Sequence, residues 1–73
     1  MAAGRPSKPW RLVMPSPDGP VYSPQSSEAA ARAAVESEKT TTTAARIVVQ
    51  RWQDGQWSEW LRWVRNGNAW RAE

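Results

Sequence analysis

Tryptophans and turn residues are concentrated in the last 30 residues of the chain, and this concentration constrains the fold more than any other feature. Five of the six tryptophans lie at or after Trp52. The pairs Asp54-Gly55 and Asn66-Gly67 interrupt runs rich in β-branched and aromatic residues, and such pairs are strong short-range signals for β-hairpins. Residues 45–72 are therefore predicted to form a three-stranded antiparallel meander. A two-residue turn at Asn66-Gly67 would place Trp63 opposite Trp70.

The register of the first hairpin decides which tryptophans share a face, because a slip of one residue exchanges the two faces of a strand. A three-residue loop that closes on Gly55 as a bulge is preferred, since it makes one face almost wholly apolar. That face would hold Ile47, Val49, Trp57, Leu61, Trp63 and Trp70. The opposite, mixed face would hold Val48, Gln50, Trp52, Ser58, Trp60, Arg62 and Val64. The alternative is a two-residue turn at Asp54-Gly55, which would make Trp52 and Trp57 a cross-strand pair.

The N-terminal half predicts a short hairpin followed by one helix. Residues 10–14 alternate large apolar side chains as a strand does, and a Pro17-Asp18-Gly19 turn leads to a second short strand, residues 21–23. All six prolines lie at or before Pro24, which suits a hairpin at the sheet edge. Residues 27–39 are predicted to form a helix with a serine N-cap. Its buried stripe is either Ala30, Ala33, Ala34 and Ser37, or Ala31 and Val35.

These elements together predict an α+β fold of order ββαβββ. It consists of an N-terminal β-hairpin, one α-helix and a C-terminal three-stranded antiparallel meander, with the helix packed on one face of the sheet. Residues 1–8 are predicted to be a disordered N-terminal arm, and residues 9–73 a single small domain. A core of this size gives little net stability. Large indoles, each burying about 150–250 Å², would compensate for the small side chains of the helix.

The composition argues against catalysis. The chain contains no Cys and no His, which excludes thiolate chemistry, the usual nucleophilic triads and typical zinc sites. Asp18 and Asp54 lie in turns, where hydrogen bonding to the backbone explains them, and no glycine-rich phosphate loop is present. The sequence has no membrane-spanning run and no hydrophobic signal region. We therefore expect a non-enzymatic, cytoplasmic protein without cofactor, metal or membrane contact.

The mixed face of the meander is the candidate binding surface, because Trp and Arg are enriched at the hot spots of protein interfaces. Such a patch also exceeds what a monomer usually leaves exposed. The predicted partner-binding residues are Trp52, Trp60, Arg62, Val48, Gln50 and Val64. Trp57, Trp63 and Trp70 are assigned to the core. The expected partner is another protein or a second copy of this chain. In a third hypothesis the mixed face has no binding function. Its arginines pack their apolar stems along the tryptophans and keep their charged groups in water.

Nucleic-acid binding is the alternative hypothesis, with bases stacked on Trp52 and Trp60. The predicted phosphate contacts are Arg46, Arg51, Arg62, Arg65 and Arg71. Residues 44–73 contain five arginines and three acidic residues, an excess of only two, and Glu59 lies within the supposed binding face. A phosphate-binding surface usually has a stronger positive field, so a protein partner is preferred. The preference for Arg over Lys and the abundance of Ala, Pro and Trp are typical of a GC-rich genome, such as that of an actinobacterium or one of its phages.

Overall fold

A computed structural model describes residues 6–73, which form one five-stranded antiparallel sheet and one helix. The strands are β1 (Trp10–Met14), β2 (Val21–Gln25), β3 (Arg46–Gln53), β4 (Gln56–Asn66) and β5 (Ala69–Ala72), and helix α1 (Glu28–Thr41) lies between β2 and β3 in the chain. The strand order across the sheet is β2-β1-β3-β4-β5. The predicted α+β fold, ββαβββ with the helix on one face of the sheet, is confirmed. Residues 1–5 of the predicted N-terminal arm lie outside the described residues.

The N-terminal hairpin closes through a tight turn, as the Pro-Asp-Gly sequence predicts. The backbone N–H of Gly19 donates to the carbonyl oxygen of Ser16 at 3.0 Å, and Gly19 has a φ of 109°, which only glycine adopts readily. Strand β2 is an edge strand of the sheet. It contains Pro24, which has no N–H to give to a further strand. The predicted edge position of this hairpin is therefore confirmed.

Helix α1 is closed at both ends by local hydrogen bonds. The side chain of Ser27 accepts from the backbone N–H of Ala30 at 3.1 Å, and the backbone N–H of Thr42 donates to the carbonyl oxygen of Glu38 at 2.8 Å. The helix extends two residues beyond the predicted end, to Thr41. Its buried residues are Ala31 and Val35, so the second of the two predicted stripes is correct.

The core lies between α1 and one face of the sheet, here called the helix side. It is built on the buried residues Leu12, Met14, Ala31, Val35, Ile47 and Val49, and four indoles pack against them: Trp10, Trp60, Trp63 and Trp70. The alanines of the helix bring its backbone close to the sheet, and the indoles fill the remaining layer. Trp63 and Trp70 therefore lie in the core, as predicted.

The β3–β4 hairpin combines two registers. At its tip Gln53 pairs with Gln56, so Asp54-Gly55 is a two-residue turn, and φ values of 55° and 77° match type I′. The predicted three-residue loop is wrong. Asp54 and Gly55 both have a positive φ, as the two central residues of a type I′ turn do, so Gly55 is a turn residue and not a bulge. Farther from the turn Ile47 pairs with Trp63, so these two residues share a face, as the preferred bulged version predicted.

The two registers are joined by a β-bulge in the middle of β4. Val49 pairs with Leu61 and Gln50 with Glu59, which leaves Trp60 as the extra residue. Two consecutive residues of β4, Trp60 and Leu61, consequently pack against the core on the helix side. Trp57 and Trp60 therefore exchange their predicted sides of the sheet. Trp57 is the cross-strand partner of Trp52 and lies on the face away from α1.

The β4–β5 turn is displaced by one residue from its predicted position. Asn66 pairs with Ala69, so the turn residues are Gly67 and Asn68, and the positive φ of 65° at Gly67 alone matches type II′. Trp70 is opposite Arg65, and the predicted pairing of Trp70 with Trp63 is wrong. The pairing is shifted by two residues, which preserves the faces, so both tryptophans remain on the helix side.

Candidate functional site

The face of the sheet opposite α1, here called the uncovered face, is the candidate site. Neither the single helix nor any strand of residues 6–73 packs on it. Strand alternation and the observed registers place on it three aromatic residues, four arginines and one glutamate. These residues are Tyr22, Trp52, Trp57, Arg11, Arg46, Arg62, Arg71 and Glu59. The uncovered face is therefore both aromatic and positively charged.

Four side chains on this face form a continuous row, here called the stacked row. The guanidinium carbon of Arg11 lies 4.4 Å from the ring centroid of Tyr22 and 4.1 Å from that of Trp57. Trp57 in turn meets Trp52 edge to face, with centroids 5.4 Å apart and an interplanar angle of 76°. Because these residues belong to β2, β1, β4 and β3, the stacked row ties four strands together.

The stacked row is held in place and remains accessible. The Arg11 Nε donates to the Oε1 of Gln50 at 2.7 Å, and its guanidinium is also in contact with two aromatic rings. Tyr22 is 50% exposed, while Arg11, Trp52 and Trp57 are partly buried. Cation–π contacts contribute about 0.5–1 kcal/mol each at exposed sites. The row therefore presents a pre-formed aromatic surface to solvent.

Arg62 forms a second feature of the uncovered face. Its Nη2 donates to the Oε1 of Glu59 at 2.7 Å. The hydrogen bond that Arg62 donates to Glu59, and then the negative charge of that carboxylate, raise the pKa of Arg62 above its ordinary value. The Nε atom of Arg62 is buried without a hydrogen-bond partner among residues 6–73. Beside Arg62, a concavity of about 500 Å³ reaches Arg46 and the β1–β2 turn.

The structure brings together most of the predicted partner-binding residues. Those that share the uncovered face are Val48, Gln50, Trp52, Arg62 and Val64. Trp60 is the exception, because the bulge turns it to the helix side. There its ring meets that of Trp10 edge to face at 4.9 Å, and the guanidinium of Arg32 lies 4.7 Å from its centroid. The face assigned to Trp60 from sequence is therefore wrong.

Sequence reasoning missed three members of the stacked row as binding candidates: Arg11, Tyr22 and Trp57. Arg11 could have been found, because the alternation that turns Leu12 and Met14 to the core turns Arg11 to the other face. Tyr22 could be placed only from the register of the β1–β2 hairpin, in which it pairs with Val13. Trp57 required the two-residue turn at Asp54-Gly55, which was the alternative and not the preferred register.

The five arginines predicted to contact phosphates do not share a face. Arg46, Arg62 and Arg71 lie on the uncovered face. Arg51 lies on the helix side, with its guanidinium carbon 5.9 Å from the ring centroid of Trp10. Arg65 donates to the carbonyl oxygens of Thr42 and Ala44 at 2.6 and 3.3 Å. The predicted set is thus divided, because strand alternation separates Arg51 and Arg65 from the other three.

Residues 6–73 contain no group of three or more acidic side chains, cysteines or histidines arranged to hold a metal ion. In the same residues, no helix has the length and apolar character needed to cross a membrane. No protein-family model, no curated protein and no solved structure matches the chain. The chemistry of the uncovered face is thus the basis for assigning a function.

Proposed function

We propose that this chain is a small non-enzymatic interaction module that docks a protein partner, or a second copy of itself, through the uncovered face. The stacked row is the observation that carries this proposal. Its residue types, Trp, Tyr and Arg, are those enriched at the hot spots of protein interfaces. Val48 and Val64 lie on the same face and add apolar area. A phage- or host-encoded modulator of another protein is the form of this function that we favour.

The contacts within the stacked row support tight docking. Ordering a mobile side chain at an interface costs about 0.5–1.5 kcal/mol. Arg11 is already held by Tyr22, Trp57 and Gln50, and Trp52 by its contact with Trp57. Much of this cost is therefore met during folding, which leaves more of the interaction free energy for binding.

Two variants test the proposal. Trp57→Ala removes the centre of the stacked row, and Arg32→Ala is the control, since Arg32 lies on α1 over Trp60, away from the uncovered face. Partner capture and light scattering over a range of concentrations are measured for each, with circular dichroism to check the fold. We expect Trp57→Ala to weaken partner capture or self-association at least about tenfold, as a hot-spot residue does, and Arg32→Ala to preserve it.

Two outcomes would overturn the proposal. One is a wild-type protein that stays monomeric at every concentration and captures no protein. The other is a folded Trp57→Ala variant that binds as the wild type does.

Nucleic-acid binding is the second candidate function, and one observation favours it: Arg46, Arg62 and Arg71 share the uncovered face with Trp52. Two observations weigh against it. Glu59 lies on the same face, and the guanidinium of Arg11 already occupies a ring face of Tyr22 and of Trp57. Titration with short single-stranded DNA and RNA at two salt concentrations tests it, since phosphate contacts make affinity fall steeply with salt. No binding at low salt would exclude this candidate.

A further inference from the structure

A second concavity, of about 320 Å³, lies at the Tyr22 end of the stacked row. Arg11 and Lys8 supply its two positive charges, and its walls include Tyr22, Pro24 and Trp57. No carboxylate lines it, whereas the concavity beside Arg62 includes Glu59. The second concavity is therefore the part of the uncovered face that is suited to a negative group with apolar neighbours.

Arg11 presents a fixed guanidinium to this concavity. Its Nε donates to the Oε1 of Gln50 at 2.7 Å, and its guanidinium carbon lies over the rings of both Tyr22 and Trp57. The two terminal nitrogens make no hydrogen bond to any other part of residues 6–73. A guanidinium with both terminal nitrogens available matches the two oxygens of a carboxylate. Since its orientation is set before binding, little side-chain entropy would be lost.

We infer that this concavity binds an aspartate or glutamate side chain of an acidic segment of the partner, with Arg11 as the recognition residue and Lys8 as a supporting charge. The inference rests on the proposed function and names the chemistry of its partner. A peptide fits better than a nucleic acid, because the guanidinium of Arg11 occupies the ring faces on which bases would stack. The exposed ring of Pro24 remains available to an apolar residue beside the carboxylate.

The test uses a synthetic peptide of about eight residues in which glutamate alternates with leucine. Its matched control has glutamine at each glutamate position, and an oligo-dT of similar length represents nucleic acid. Binding to the full chain is measured by calorimetry at low salt. We expect the glutamate peptide to bind about tenfold or more tightly than its glutamine analogue, since a hydrogen bond between charged groups is worth about 1.5–3 kcal/mol.

Three variants locate the binding site. Arg11→Lys keeps the charge but removes the planar pair of donors, and should weaken binding of the glutamate peptide at least about tenfold. Lys8→Gln, at an exposed position, should weaken it about threefold, as loss of one supporting surface charge does. Arg32→Gln removes the same charge from the opposite side of the molecule and should leave the affinity unchanged. If Arg11→Lys does not fold, Lys8→Gln still decides the question.

Several outcomes would overturn the inference. These are equal binding of the glutamate and glutamine peptides, unchanged affinity in folded Arg11→Lys or in Lys8→Gln, and tighter binding of oligo-dT than of the glutamate peptide. A wild-type protein that captures a partner through Trp57 but does not bind the glutamate peptide would overturn this inference alone. The proposed function would then stand.

Discussion

Arg65 shows how a single residue can fasten the end of the helix to the meander. It donates to the carbonyl oxygens of Thr42 and Ala44, in the segment between α1 and β3. Its guanidinium carbon lies 4.5 Å from the ring centroid of Trp70, and the Trp70 Nε1 donates to the carbonyl oxygen of Lys39 at 3.1 Å. Arg65 and Trp70 are thus structural residues at the C-terminal end of α1.

Replacing Arg65 with methionine keeps most of the apolar stem and removes every donor. We expect this variant to lose about 2 kcal/mol of unfolding free energy, because two partly buried carbonyl oxygens lose a charged donor. Urea denaturation measures the loss. Arg71→Met is the matched control, since Arg71 is exposed on β5 and surface changes usually stay within about 0.5 kcal/mol. Equal losses for the two variants would contradict the structural role of Arg65.

Trp57 and Trp60 should respond differently to truncation, although only two residues separate them. Trp60 packs against the core, against Trp10 and beneath Arg32, so Trp60→Ala should cost about 3 kcal/mol of unfolding free energy. Trp57 packs on the uncovered face, and Trp57→Ala should cost about 1 kcal/mol through its lost contacts with Arg11 and Trp52. Chemical denaturation of both variants measures the difference. A larger loss at Trp57 would show that the bulge lies elsewhere.

At the level of the elements, the turn at Asp54-Gly55 fixes the tip of the β3–β4 hairpin. Both residues have a positive φ, 55° and 77°, and a Cβ added at Gly55 would meet nothing within 4 Å. The cost of Gly55→Ala is therefore a backbone cost, of about 1 kcal/mol or more.

For a domain of this size, that cost corresponds to a thermal midpoint about 4–8 °C lower, which calorimetry would measure for Gly55→Ala. The control is Asp54→Asn, which should leave the midpoint almost unchanged because Asn-Gly is equally suited to a type I′ turn. An unaltered midpoint in Gly55→Ala would argue against this turn geometry.

Features that are determined by residues close together in the sequence could be predicted. The β-bulge that joins the two registers of the β3–β4 hairpin could not. The Ser27 cap, the helix and the presence of the three hairpins are encoded within a few residues each, although the loop length at Asp54-Gly55 and the position of the β4–β5 turn were predicted wrongly. The bulge depends on distant contacts: Leu61 must face the core beside Val49, while the Asp-Gly turn makes Trp57 the partner of Trp52. One extra residue in β4, Trp60, allows both pairings to form. Its ring contacts Trp10 on β1 and Arg32 on α1. No local pattern in β4 shows that this residue is Trp60.

The same distinction applies to the candidate site. Val48 and Gln50 keep their predicted face through strand alternation in β3, whereas Arg62 and Val64 keep it because the bulge at Trp60 restores the register beyond it. The stacked row also needs Arg11 to lie between rings from β2 and β4, and that arrangement depends on the strand order of the whole sheet. Strand alternation could place Arg11 on this face, but its contacts with rings from β2 and β4 follow only from the tertiary structure.

On the scale of the whole molecule, a single core joins the helix to four of the five strands of the described chain. Its buried side chains come from β1, α1 and β3, and the indoles packed on them come from β1, β4 and β5. We therefore expect residues 6–73 to unfold in one cooperative step. Far-UV circular dichroism and tryptophan emission should give the same urea midpoint. An earlier midpoint for the tryptophans would mean that the meander separates from the helix before the rest unfolds.

The bulge at Trp60 has a consequence for how the gene can vary. Deleting that one codon would leave Leu61 paired with Val49 and Glu59 paired with Gln50, now in an unbroken ladder. Trp57 would keep its place beside Trp52, and Trp63 its place opposite Ile47. The deletion would remove one indole from the interior and leave every other side chain of β4 on its present face. Homologues that preserve the same outward surface can therefore differ in length by one residue here, and alignments should show their gap at Trp60.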